Sequence, residues 1–80
     1  MTPEQCRAAR GKVDWSQSDL AREAGVSIST VRDFEAGRRK PIQNNMQSME
    51  KSFTDSGIRF FNNSETRLQG IEWTDSQKSA

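Results

Sequence analysis

The sequence predicts a mainly α fold: a compact bundle of four helices followed by a C-terminal β-hairpin. Three observations predict it. Between residues 2 and 57 the chain repeats a helix-start signal, and a glycine follows each one. Over the same stretch the apolar residues recur at spacings of three and four, which gathers them on one helix face. After Gly57 the period changes to two, in "IRFF" at 58–61 and "GIEW" at 70–73, as in half-buried strands.

Taking the elements in order, "TPEQ" at 2–5 opens the first helix. Thr2 can cap it, Pro3 suits the first helical position and Gln5 completes a capping box. The helix is expected over about 3–10, with Cys6 and Ala9 inward and Gly11 ending it. "WSQSDLAREAG" at 15–25 starts a second helix. Ser16 is its N-cap, Asp19 sits three residues later, and Trp15 with Leu20 has the spacing of a hydrophobic staple. Leu20, Ala21 and Ala24 form its buried stripe, and Gly25 supplies a left-handed C-terminal residue.

Ser27 caps a third helix, about 28–36, with Val31 and Phe34 inward and Gly37 closing it. "RRKP" follows as a turn that Pro41 keeps from becoming helical. The fourth helix, about 43–56, is marked by Ile42, Met46, Met49 and Phe53 on one face, with Gly57 as its stop. In the hairpin, Ile58, Phe60, Ile71 and Trp73 share one face, while Phe61 points the other way beside Arg59 and Glu72. The expected organisation is therefore a bundle over 1–57, a hairpin extension over 58–73 and a flexible tail over 74–80.

Eighty residues make one small domain, and with 31% hydrophobic residues and a mean hydropathy of −0.94 its core must be thin. Such a chain is marginal alone and gains from a partner that buries more surface. No apolar run approaches the roughly 20 residues of a membrane span, and no signal-peptide pattern opens the chain, so the cytoplasm is the expected compartment. One cysteine, Cys6, and no histidine exclude an internal disulfide and a Cys/His zinc site. They also remove the commonest general base. No enzyme, metal or cofactor is expected. The net charge of +1 says little, but residues 1–42 hold eight Lys/Arg against six Asp/Glu, and "GRRKP" at 37–41 concentrates the excess. Such a loop is ordinary solvated surface unless a nucleic-acid reader lies beside it.

A helix, a sharp turn near Gly25 and a second helix form a helix-turn-helix. The turn sets Val26 between the helices and projects the outer face of the second, which can enter a major groove. The stretch "SQSDLAREAGVSISTVRDFEAGRRKP" at 16–41 resembles the Cro/repressor, or Xre-type, helix-turn-helix family. The matching marks are Ser16–Gln17, Leu20–Ala21, Gly25–Val26–Ser27, Thr30–Val31, Glu35, Gly37 and Pro41. The resemblance implies a lambda-repressor-like bundle of four or five helices that binds double-stranded operator DNA, usually as a homodimer. Here the hairpin stands in place of the fifth helix that often dimerises such domains; a homodimer through 58–73 is the expectation, with an interface on the bundle alone as the alternative.

The resemblance also implies roles. Gln17 stands where a helix N-terminus meets a phosphate. Ile28, Ser29, Arg32 and Asp33 match base-facing positions, and Ser27 and Thr30 either bind phosphate or support the helix. Arg38, Arg39 and Lys40 stand where the family meets the backbone again, and Arg10 with Glu35 matches an ion pair between the first and third helices. Ile28 cannot bond a base edge but can touch a thymine methyl. Arg32 can bind guanine in a two-pronged fashion, and Asp33 either accepts from cytosine or holds Arg32. The implied function is a sequence-specific transcriptional regulator, a repressor or autoregulator. The alternative is an antitoxin-like or other protein-interaction module that uses the bundle and hairpin.

Overall fold

The computed structural model describes residues 1–63 and 68–73. Four helices, α1 (Pro3–Val13), α2 (Gln17–Ala24), α3 (Ile28–Glu35) and α4 (Gln43–Asp55), precede two strands, β1 (Ile58–Asn63) and β2 (Leu68–Trp73). The first two helices open on full capping boxes. Thr2 Oγ1 accepts from the Gln5 N–H at 3.1 Å while Gln5 Oε1 accepts from the Thr2 N–H at 2.9 Å. Ser16 and Asp19 reciprocate in the same way at α2. Helix α4 has no side-chain cap.

Gly11 does not end α1. The helix runs through it to Val13, and Asp14 takes the left-handed position with φ 61°. The reason is tertiary. Val13 packs against the core, and the Trp15 N–H returns to the Arg10 carbonyl at 2.9 Å. A helical glycine costs about 0.5–1 kcal/mol, less than the roughly 1.5–3 kcal/mol available from burying a valine fully, so even partial burial carries the helix onward.

The core takes Cys6 and Ala9 from α1, Leu20 and Ala21 from α2, Val31 and Phe34 from α3, and Met49 and Phe53 from α4. Phe53 is its hub. Trp15 stacks on it with ring centroids 5.6 Å apart, and Phe60 meets it edge-on at 5.8 Å. Ile42 is not part of that face, although its spacing suggested so. It is the extended N-cap residue of α4 and is 68% exposed. Lying before the helix, it escapes the helical period that aligns Met46, Met49 and Phe53.

The strands pair antiparallel, with Ile58 opposite Trp73, Phe60 opposite Ile71 and Phe61 opposite Gly70. Ile58 is buried in the same core as the helices, and Phe60 and Ile71 pack against it. The Trp73 side chain and the expected tail at 74–80 lie outside the described residues. A lone two-stranded hairpin is marginal in water. Here Gln5 supports it: its Nε2 donates to the Phe61 carbonyl and to the Gly70 carbonyl, each at 2.9 Å. One side chain of α1 thereby holds both strands.

Candidate nucleic-acid interface

The turn between α2 and α3 is built on Gly25, whose φ of 70° lies in the left-handed region. A side chain there would cost about 1–2 kcal/mol. The Val26 N–H reaches back to the Ala21 carbonyl at 3.0 Å, which satisfies the end of α2. Val26 is half-buried against the core. Ser27 then caps α3: its Oγ accepts from the Thr30 N–H at 3.1 Å and lies 2.9 Å from Thr30 Oγ1.

Helix α3 buries Val31, Phe34 and Glu35. At about 100° per residue the opposite side is centred on Ser29, flanked by Arg32 and Asp33. Ser29 and Arg32 are exposed, whereas Ile28 and Asp33 are half-buried. Ile28 packs against the core, so less of it faces outward than the family pattern implied. Ser27, Ser29, Thr30, Asp33, Arg39 and Lys40 line one cleft, closed on the far side by Pro41, Ile42 and Asn45. Six of the ten expected DNA-contacting residues therefore share a concavity. Arg32 stands on the adjoining outer face, and Gln17, Ile28 and Arg38 lie outside the cleft.

Asp33 is partnered by Arg38, not by Arg32. Arg38 Nη2 lies 3.4 Å from Asp33 Oδ1. The arginine is 69% exposed and the aspartate 38%, so the pair contributes little stability and can exchange. Arg32, Arg39 and Lys40 have no side-chain hydrogen bond or ion pair among the described residues. Three uncompensated cations thus border α3.

Behind α3 lies a closed polar network. Arg10 grips Glu35 with two bonds, Nε to Oε2 at 2.7 Å and Nη2 to Oε1 at 2.8 Å, and its Nη1 donates to the Trp15 carbonyl at 3.0 Å. Cys6 Sγ donates to Glu35 Oε2 at 3.1 Å, and Gln17 Nε2 donates to Oε1 at 3.1 Å. Arg7 Nη1 donates to the Glu35 carbonyl. Burial by itself would raise the Glu35 pKa, but the bonds from Arg10, Cys6 and Gln17 outweigh it and hold the carboxyl below its usual range. Burial, then the bond to Glu35, pushes the Cys6 thiol far up. Gln17 therefore commits one of its two amide N–H donors to Glu35. It also stands at the N-terminus of α2, whose first N–H groups have no intrahelical acceptor, although Ser16 Oγ takes that of Asp19.

The sequence did not signal every member of this network. Arg7 precedes Arg10 by one helical turn, a spacing that places both on one face. Nothing local marked Cys6 as a donor or Gln17 as a partner of Glu35.

Comparison with known proteins settles what this geometry belongs to. A helix-turn-helix family model matches residues 7–53, which span α1 to α4. The chain belongs to the helix-turn-helix family, of the Cro/repressor type. A relative from Archaeoglobus fulgidus, named an uncharacterized HTH-type transcriptional regulator, is 53% identical over 38 residues. That stretch covers 48% of this chain and 17% of the relative. Within the helix-turn-helix, α2 is the supporting helix and α3 the one whose outer face is free. No helix among the described residues is long and apolar enough to cross a membrane.

Proposed function

We propose that this protein is a sequence-specific transcriptional regulator, a repressor or an autoregulator, that binds double-stranded operator DNA as a homodimer. One observation carries the reading: the outer face of α3 presents Ser29 and the unpartnered Arg32 beside a cleft bordered by the unpartnered Arg39 and Lys40. An α-helix with its side chains is roughly 10–12 Å across, close to the roughly 12 Å width of the major groove that must admit it.

In this reading Arg32 reads guanine and Ser29 an adjacent base edge. Ile28 offers its exposed part to a thymine methyl. Asp33, already engaged by Arg38, orients that arginine toward the backbone. Arg39, Lys40, Ser27, Thr30 and the N-terminus of α2 at Gln17 bind phosphates and fix the register. Glu35 and Arg10 hold α1, α2 and α3 in one arrangement behind the reading face.

Selection of bound sequences from a randomised duplex pool tests this. A two-fold related pair of half-sites, one helical turn apart, is the expected product. Recovery of unenriched sequence would reject the reading and favour a module that binds protein instead.

A further inference from the structure

The outer face of the hairpin carries a pattern that DNA binding leaves unused. Phe61 is 42% exposed, one of two large apolar side chains so displayed among the described residues. It is nonetheless held in place. Its ring lies over Gly70, so closely that a Cβ there would sit 2.4 Å from it. From behind, Gln5 bonds the carbonyls of these same two residues. The next pair along the same face is Arg59 and Glu72. They form an ion pair within the chain, 3.6 Å apart, but with side chains 76% and 57% exposed it contributes little and can exchange for partners on another molecule.

We infer that this face, centred on Phe61 over Gly70, is the surface through which a second copy of the chain docks, with Arg59 of each copy meeting Glu72 of the other. The inference deepens the homodimer reading by assigning its interface. A two-fold interface must be its own complement. A face with one aromatic anchor and one charge of each sign meets that condition, because rotation sets plus against minus. An aromatic centre with a charged rim is also the usual interface anatomy. Preorganisation by Gly70 and Gln5 lowers the ordering cost of docking.

Size decides when the contact forms. Two six-residue strands make a face roughly 20 Å by 10 Å, near 200 Å². A stable interface uses about 800 Å² per partner. Free chains therefore associate weakly, and the contact acts where DNA already holds two copies side by side, as a cooperative term.

Charge exchange tests this without reference to an operator. Arg59→Glu makes the face acidic and Glu72→Arg makes it basic, so each variant repels its own kind while the two attract. Amide signals of Phe61 and Gly70 are followed by NMR as the chain is concentrated from micromolar to millimolar. The parent should show concentration-dependent shifts, each variant alone should not, and the equimolar mixture should recover them. A mixture that behaves as the average of its components overturns the inference, as does a parent spectrum that never moves. On a selected palindrome, Phe61→Ser should lower cooperativity by about tenfold while a single half-site binds as before. Loss of half-site binding in the parent would instead count against the DNA reading, leaving the NMR result to stand by itself. A folded bundle in every variant is checked by thermal melting.

Discussion

Glu35 shows how much one residue can hold. It is nearly buried yet charged, and Arg10, Cys6 and Gln17 supply its compensation. Removing Arg10 strands a buried carboxylate, a change that typically costs about 3–5 kcal/mol. Arg10→Ala should lose that order of stability in urea unfolding, and a double-mutant cycle with Glu35→Gln should show strong coupling. The lowered pKa of Glu35 fixes the sign of its pH dependence. Its contribution is complete above the ordinary glutamate pKa of about 4.3 and fades as pH falls through the lowered value. Glu35→Gln should therefore flatten the acid limb of the stability profile, measured as denaturant midpoints from about pH 6 to pH 3. An acid limb as steep as the parent's would show that other carboxylates set it.

Among the elements, what was legible in the sequence was local. Caps at Thr2, Ser16 and Ser27 and the left-handed Gly25 depend on neighbours within five residues, so spacing alone located them. The end of α1 was misplaced because a glycine stops a helix only when nothing beyond it packs, and Val13 does. Ile42 fitted a helical period but stands just before α4, where that period does not apply. The clamp on the hairpin was invisible because Gln5 lies 56 and 65 residues from its two acceptors. Its role in the capping box accounted for only its oxygen. Gln5→Leu should remove both bonds to the hairpin together with the capping bond from Thr2, at a cost of about 1 kcal/mol for each. Hydrogen exchange at Phe61 and Gly70 should then quicken far more than at Val31 or Phe53. Equal quickening everywhere would mean that Gln5 supports the bundle and not the hairpin in particular.

At the scale of the whole molecule, the polar network and the core place charge on one side. The acid of Glu35 is neutralised inside, while Arg32, Arg39 and Lys40 have no ion-pair partner outside among the described residues. The near-zero net charge hid this asymmetry, and only the position of "GRRKP" relative to α3 hinted at it. The site was legible as a set of residues but not as a shape: sequence spacing aligned Ser29 with Asp33, whereas the cleft with Asn45 required the fold. Phosphate contacts and base contacts should separate experimentally. Arg39→Ala should weaken all sequences alike and reduce the salt slope by about one. Wild-type salt dependence would leave Arg39 as mere surface.

The central claim is that α3 reads sequence, with the exposed Arg32 as its proposed strongest reader. The direct test is to select bound duplexes from one random pool with the parent chain and with Arg32→Ala in parallel. A two-pronged contact to guanine discriminates by about 1–3 kcal/mol. The variant should therefore lose preference at one or two symmetry-related positions, keep the rest of the motif and still bind weakly in general. An identical motif from both chains would contradict the assignment of Arg32 and of the α3 face as the reading surface.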